Sequence, residues 1–174
     1  MGWEDDLDAL ARERGPALVG YAYLLTGDLA AAQDLVQEAL VRSFARRRAG
    51  GSDVDSLEAY TRLCILNVFR DEYRRRRTFL GRRHLLAGDG SYGAPDAVAA
   101  DRIDVHAALG RLSPRERACV VLRHYEDLTV PEVAARLALS EGAVKRYLAD
   151  ARRRLGPALS TDDAETQVVM RRTR

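Results

Sequence analysis

Hydrophobic side chains recur three and four positions apart along the first part of the chain, which is the spacing of amphipathic helices. The segment DLVQEAL shows this most clearly, because its apolar residues share one helix face: Leu35, Val36, Ala39 and Leu40. The pattern predicts three helices, and it leaves open whether the first is interrupted at Gly15-Pro16. We expect them to run from Glu4 to Leu25, from Leu29 to about Arg48 and from Ser56 to about Arg77. Asp28, in a predicted turn with Thr26 and Gly27, and Ser56 are candidate N-caps of the second and third helices.

Turn and capping residues divide the last third of the chain into shorter helices. Two segments have the capping-box pattern with proline near the first helical position: Ser113-Pro114-Arg115-Glu116 and Thr129-Val130-Pro131-Glu132. Ser140 is placed to cap a last helix, which we expect to end before Gly156-Pro157. The predicted helices are Asp101 to Leu112, a helix opened by Ser113, Thr129 to Leu137, and Glu141 to Leu155.

The composition supports an all-α fold. Aromatic residues make up only 6% of the chain, so a core must be built from Leu, Val and Ala, which favours helices packed on helices. The segment GDGSYGAP has the composition of a linker. We expect two small helical domains joined by a flexible linker, the C-terminal one a helix-turn-helix. The predicted boundaries are 1–80 and 99–157 for the domains, 81–98 for the linker and 158–174 for a disordered tail.

The last two predicted helices have the proportions of a helix-turn-helix. The small residues Ala134 and Ala135 would allow a close crossing of the two helices, and Val144 would lock it. Polar residues then project along one broad face of the last helix. In such a motif the first half of that helix reads base edges and later arginines bind phosphates. The alternative is a plain helical hairpin with a solvated basic face.

Charge is distributed unevenly, although the net charge is only +2. Residues 1–40 contain eight acidic residues and two arginines, whereas residues 70–83 contain seven arginines and two acidic residues. The first stretch repels polyanions and the second attracts them. Asp34, Gln37 and Glu38 gather on one face, although like charges four apart destabilise a helix by a few tenths of a kcal/mol. This distribution indicates two kinds of partner.

A basic run from Tyr73 to Arg77 continues the polar face of the third helix, which also holds Arg62, Asn67 and Arg70. Arginines that follow a phosphate backbone beside aromatic side chains suit single-stranded DNA. Arginine runs are also common at solvated helix ends, where they complement the helix dipole. The run alone therefore leaves both interpretations open.

The residue types needed for catalysis or metal binding are scattered. Cys64 and Cys119 match no metal or redox spacing, so we expect buried free thiols in a reducing cytosol rather than a disulfide or a metal pair. There is no Gly-rich phosphate loop and no catalytic motif. We expect no enzyme activity, cofactor, metal or small-molecule substrate. The chain shows no signal-peptide pattern and no apolar run of about 18 residues, so we expect a cytoplasmic protein without membrane insertion.

Three segments together resemble an extracytoplasmic-function (ECF) sigma factor. They are AAQDLVQEALVRSF, LEAYTRLCILNVFRDEYRRRR and LSPRERACVVLRHYEDLTVPEVAARLALSEGAVKRYLADARRRL. They occur in the family's order over residues 8–157, and only the linker and the tail lie outside the resemblance. The resemblance implies an alternative sigma factor that binds core RNA polymerase. Such a factor directs initiation at specific promoters by reading −35 and −10 elements and helping to melt DNA.

The resemblance assigns three surfaces to this chain. The D-x-x-Q-E face of Asp34, Gln37 and Glu38 would bind the clamp helices of polymerase β′, and the β subunit is a further implied contact. The third helix would face the −10 element, and a loop from about Arg48 to Asp55 would hold a flipped base. The −10 residues would be Tyr60, Arg62, Asn67, Arg70, Asp71, Arg74 and Arg75. The −35 residues would be Thr129, Glu141, Lys145, Arg146, Ala149, Arg152 and Arg153.

The resemblance also implies a cognate anti-sigma protein that covers the polymerase-binding and DNA-binding surfaces. The competing hypothesis is a conventional helix-turn-helix regulator that binds an operator without polymerase. In that case the first domain would dimerise or sense a ligand, and a dimer interface should be apolar at its centre. The face formed by Asp34, Gln37 and Glu38 is polar, which favours the sigma factor.

Overall fold

The computed structural model of the chain describes residues 3–48, 57–83 and 100–159, and all regular secondary structure in these ranges is helical. The chain divides into two compact units, Met1–Gly90 and Ser91–Arg174. The predicted all-α fold class is therefore confirmed. The helices are α1 (Trp3–Thr26), α2 (Leu29–Arg48), α3 (Leu57–Arg83), α4 (Ala100–Gly110), α5 (Pro114–His124), α6 (Val130–Leu137) and α7 (Glu141–Leu159).

The first unit is a three-helix arrangement in which α1, α2 and α3 each pack against the other two. Burial of each large apolar side chain stabilises such a core by about 1.5–3 kcal/mol. The buried side chains include Leu18, Tyr21, Leu25, Leu35, Val36, Ile65 and Leu66. Two small polar residues also lie in the interior, where Ser43 Oγ and Thr61 Oγ1 are 3.3 Å apart and each hydroxyl donates to a carbonyl of its own helix. Their small size lets α2 and α3 approach closely.

The helix α1 continues without interruption through Gly15-Pro16. Proline there removes one backbone hydrogen bond, at a cost of about 3 kcal/mol or more. Buried side chains on both sides of it, Leu10 before and Leu18 and Tyr21 after, pack into the core. Their combined burial outweighs the cost of the proline, so the helix stays whole.

The turn between α1 and α2 follows the sequence prediction. Gly27 has a φ of 71°, a value that glycine adopts without steric strain. Asp28 Oδ1 accepts the N–H of Ala31 at 2.7 Å, so the predicted N-cap is confirmed.

The helix α3 ends six residues later than predicted, at Arg83 instead of about Arg77. Phe79 in this extension is 62% exposed, so burial of that side chain does not hold the extension. Residues 78–83 contain no proline that would end the helix. The first three residues of the predicted linker are therefore helical. The proposed Ser56 cap, residues 49–55 of the loop and the rest of the linker lie outside the described residues.

In the second unit α5 packs against α6 and α7, and α6 packs against α7. The predicted capping box opens α5, since Ser113 N–H donates to Glu116 Oε2 at 2.8 Å and Glu116 N–H donates to Ser113 Oγ at 3.4 Å. The buried Arg117 guanidinium donates to the carbonyls of Leu109 and Leu112 at 2.9 and 3.3 Å. It thereby adds hydrogen bonds to carbonyls around the end of α4, where the helix itself supplies few donors.

The helix-turn-helix is formed by α6 and α7. The Glu132 carboxylate accepts the N–H of Thr129 at 2.7 Å at the start of α6. After α6, Ala138 adopts a left-handed conformation with a φ of 52°, and Leu139 N–H donates to the Ala134 carbonyl at 2.9 Å. Ser140 Oγ then accepts the N–H of Ala143 at 3.2 Å, so the predicted cap of α7 is confirmed.

Two expectations about this motif need correction. Ala134 and Val144 are buried at the crossing of α6 and α7 as predicted, but Ala135 is exposed. The helix α7 does not end before Gly156-Pro157 and continues to Leu159. Proline removes only the hydrogen bond to the carbonyl four residues earlier, and burial of Leu155 holds the preceding turn against the core. Residues 160–174 of the predicted disordered tail lie outside the described residues.

Both cysteines are buried free thiols, as predicted. Burial raises the pKa of the Cys119 thiol to about 12.

A search of the described helices finds no segment with the length and hydrophobicity needed to cross a bilayer.

Candidate functional site

The acidic face of α2 is fully presented to solvent. Asp34, Gln37 and Glu38 are all exposed, while Leu35 and Val36 between them are buried. The structure therefore brings the three predicted residues together on one surface. Their separation from the core keeps both carboxylates at the protein surface.

A groove of about 320 Å³ lies between α2 and α3 beside this face. Its lining joins side chains from the two surfaces that the sequence predicts separately. Asp34 and Glu38 come from the acidic face of α2, and Asp71 and Arg75 come from the polar face of α3. The full lining is Asp34, Glu38, Arg42, Val68, Asp71, Glu72 and Arg75.

Arg42 spans this groove and contacts both helices. Its Nε lies 3.0 Å from Glu38 Oε1, one turn earlier on α2, and its Nη1 lies 3.5 Å from Asp71 Oδ2 on α3. The hydrogen bond to Glu38 is the main cause that raises the pKa of the Arg42 guanidinium, while partial burial opposes it. Sequence reasoning missed Arg42, although the i,i+4 spacing from Glu38 is a recognisable ion-pair signal.

Polar residues of α3 line one side of the helix at the predicted spacing. Arg74 and Arg75 are exposed, and Asn67, Arg70 and Asp71 are half-buried nearer the middle of the helix. Tyr60 lies two turns earlier on the same side, because it is seven residues before Asn67. Three apolar or aromatic residues of α3, Tyr60, Leu63 and Phe69, are only half-buried, while Thr61 and Ile65 are fully buried.

Arg62 lies apart from the other predicted −10 residues. Its side chain is only 14% exposed, and its Nη2 lies 2.9 Å from Glu58 Oε1. Its guanidinium also lies 5.7 Å from the centre of the Tyr21 ring, a distance suited to a cation–π contact. Arg62 therefore faces α1 rather than the groove.

Glu58 also binds Arg14 of α1 through two hydrogen bonds. Arg14 Nε donates to Oε2 at 2.7 Å and Arg14 Nη2 donates to Oε1 at 2.9 Å. The hydrogen bond from Arg14 is the main cause that lowers the pKa of the Glu58 carboxyl below its ordinary value of 4.5. Sequence reasoning missed this pair because its members are 44 positions apart.

The outward face of α7 presents the predicted polar residues to solvent. The opposite face is buried through Val144, Ala151 and Leu155, which fixes the orientation of the helix. Arg153 forms an ion pair with Asp150 of the same helix, and Arg154 Nε lies 3.4 Å from Glu116 Oε1 of α5. The exposed residues are Thr129 at the start of α6 and Glu141, Lys145, Arg146, Ala149, Arg152 and Arg153 of α7.

Within residues 3–48, 57–83 and 100–159, no three His, Cys, Asp or Glu side chains are grouped in a way that could hold a metal ion.

Comparison with known proteins decides the family. A family model of sigma-70 region 2 matches residues 10–79, and one of sigma-70 region 4 matches residues 102–155. The RNA polymerase sigma-E factor of Streptomyces avermitilis is 33% identical, over 97% of this chain and 93% of that protein. The ECF RNA polymerase sigma factor SigL of Mycobacterium tuberculosis is 34% identical, over 80% of this chain and 81% of its own length. The chain belongs to the ECF sigma factors.

A solved structure shares the fold of this sigma factor. It is the sigma factor RpoE from Bartonella quintana, crystallised in complex with the anti-sigma factor NepR. The TM-score is 0.61 at 24% identity, and the match covers 90% of this chain and 98% of the other.

Membership of the family sets the general role of this sigma factor. It is an alternative sigma factor that directs transcription from specific promoters, and the family consists of non-catalytic initiation factors. The region 2 match contains the α2–α3 groove, and the region 4 match contains the exposed face of α7.

Proposed function

We propose that this sigma factor docks on core RNA polymerase through the acidic face of α2. The supporting observation is that Asp34, Gln37 and Glu38 are exposed together while the rest of that helix turn is buried. The polymerase partner would be the β′ clamp helices, with the β subunit as a further contact. Basic side chains on the clamp would complement the two carboxylates and would accelerate docking.

The polar side of α3 would face the −10 element. Arg74 and Arg75 are exposed and suited to phosphates, whereas Asn67, Arg70 and Asp71 are held more firmly by partial burial. Tyr60 offers a ring on the same side for a base. We assign Arg62 a supporting role, because its contacts with Glu58 and Tyr21 hold α3 against α1.

The exposed face of α7 would read the −35 element in the major groove. Glu141, Lys145 and Arg146 occupy the first turns of the helix, where a recognition helix contacts base edges. Arg152 and Arg153 lie two turns later, where such helices contact phosphates. Thr129 at the start of α6 would contact the DNA backbone, and Ala149 would lie against the floor of the DNA major groove.

We further propose a cognate anti-sigma protein and a cytoplasmic location. The relative RpoE was crystallised with an anti-sigma factor, and the exposed acidic and basic surfaces of this chain would both need covering in an inactive state. No small-molecule substrate is proposed.

The test of polymerase docking is run-off transcription on a genomic promoter library with purified core polymerase. We compare the native chain with a triple variant, Asp34→Ala, Gln37→Ala and Glu38→Ala. Specific transcripts should appear with the native chain and fall at least about tenfold with the variant, because each charged contact contributes about 1–3 kcal/mol. A double variant, Asp8→Ala and Glu13→Ala, is the control, since it removes the same charge from exposed positions of α1.

The control should leave the transcripts unchanged. Equal loss in both variants would assign the effect to net charge and would remove the α2 face from the docking surface. Absence of transcripts with the native chain would contradict the proposed docking on core RNA polymerase.

A further inference from the structure

The two surfaces of the first unit share one side chain. Arg42 lies on α2 one turn beyond Glu38, and it contacts Glu38 of the acidic face and Asp71 of the α3 face. The Arg42 guanidinium thus contacts both carboxylates, one from each surface. A change at one carboxylate therefore alters the electrostatic environment of the other through Arg42.

The geometry points to Arg42 as a positioning residue that couples polymerase docking to the α3 face. In the free protein the Arg42 guanidinium already binds the Glu38 carboxylate, with Nε 3.0 Å from Oε1. A basic side chain of polymerase that binds Glu38 competes with it, because one carboxylate between two cations binds each less strongly. The displaced guanidinium is then held by Asp71 alone, which fixes that side of the −10 helix. This inference rests on the proposed docking of polymerase at Glu38.

The reverse direction follows from thermodynamic reciprocity. Asp71 draws Arg42 away from Glu38, so it leaves Glu38 more available to polymerase. Without the Asp71 charge, Arg42 interacts with Glu38 alone and binds it more tightly. A basic side chain of polymerase must then displace a more firmly bound Arg42 from the Glu38 carboxylate. The contacts are about one-third to one-half exposed, and ion pairs of that kind change an equilibrium constant by roughly two- to fivefold.

The test measures the affinity of the full chain for purified core polymerase in the absence of DNA. Asp71→Asn should weaken that affinity roughly two- to fivefold more than Glu72→Gln does. Glu72 is the matched control, because it lies in the same groove, and its substitution removes the same charge. The excess effect of Asp71→Asn should disappear when both variants are made in an Arg42→Gln background.

A structural role alone gives a different pattern. If Arg42 only held α2 against α3, Arg42→Gln would weaken polymerase binding, whereas we expect it to strengthen binding by freeing Glu38. Arg42→Lys serves as a second variant, since it keeps the positive charge but lacks the planar guanidinium that reaches two carboxylates at once. This substitution should also reduce the excess effect of Asp71→Asn.

Equal effects of Asp71→Asn and Glu72→Gln with Arg42 present would overturn the inference, as would an excess that persists without Arg42. A native chain that does not bind core polymerase at all would instead contradict the proposed function.

Discussion

Among the described residues, Ala138 and Asp127 are non-glycine residues with a positive φ, and alanine lacks the polar side chain that helps aspartate to tolerate it. Ala138 is exposed and has a φ of 52° between α6 and α7. A residue with a Cβ in the left-handed region costs about 1 kcal/mol relative to glycine. The conformation persists because the turn hydrogen bonds and the buried crossing of the two helices require it.

We expect Ala138→Gly to raise the free energy of unfolding by about 0.5–1 kcal/mol, since glycine removes the strain at this position. Urea denaturation followed by circular dichroism would measure the change. Ala135→Gly is the control, because this exposed position lies inside α6, where glycine should destabilise by up to about 1 kcal/mol. Destabilisation by both substitutions would show that the turn gains nothing from glycine.

The residue scale also shows what local sequence signals could predict. Asp28, Ser113 and Ser140 were identifiable as caps because an N-cap depends on only three or four neighbouring residues. The left-handed Ala138 was not, because nothing local favours that conformation for alanine. It is a consequence of the crossing of α6 and α7.

At the scale of elements, one network of charges joins α1 to α3. Glu58 is shared by Arg14 and Arg62, and Arg62 also lies over the ring of Tyr21. The pKa of the Glu58 carboxyl is lowered in the folded state, mainly by the hydrogen bond from Arg14. A lowered folded pKa contributes stability that is fully present above the unfolded value of about 4.5. That stability is lost as pH falls through the lower folded value.

We expect Glu58→Gln to destabilise the protein by about 1–2 kcal/mol at neutral pH, because two arginines lose their carboxylate. The difference between native and variant should shrink as the pH falls below about 4.5. Denaturation curves at a series of pH values would measure it, with exposed Glu13→Gln as the control. A difference that stays constant with pH would mean that the charge of Glu58 contributes nothing.

The helices themselves were largely predictable, and their ends were not. The start of α2 and both limits of α6 agree closely with the sequence pattern. Asp28 caps the start of α2, and Thr129 and the left-handed Ala138 lie at the ends of α6. The sequence left open an interruption at Gly15-Pro16 and indicated an end before Gly156-Pro157, and both helices continue through the proline. Tertiary burial of neighbours such as Leu18 and Leu155 outweighs the local signal. Contacts between helices, including those of Arg42 and Arg14, depend on packing that no local pattern encodes.

At the scale of the whole molecule, charge is segregated along the chain. The α2 face is acidic, and exposed arginines occur in α3 and α7. A protein that neutralises phosphates releases counterions, so its affinity for DNA falls as salt rises. Contacts with base edges contribute less to this salt dependence and more to sequence preference.

We expect Arg152→Gln to weaken binding of promoter DNA by the polymerase complex about equally for all −35 sequences. It should reduce the slope of log affinity against log salt by roughly one. Arg146→Ala should instead change the preferred −35 sequence, by about 1–3 kcal/mol at one base pair. Fluorescence anisotropy at several salt concentrations would separate the two effects. The same uniform loss in both variants would contradict the division of α7 into reading and anchoring residues.

The burial of both cysteines also makes this protein suitable for site-specific labelling. Cys64 and Cys119 lie in the interior of their units, out of reach of a reagent in solution. The Cys119 thiol, with a pKa of about 12, is also ionised in only on the order of one molecule in ten thousand at pH 8. Thiolate is the form that reacts with maleimides. A cysteine introduced at exposed Ala45 or Ala107 would therefore carry a fluorophore while both natural thiols stay unmodified in the folded chain.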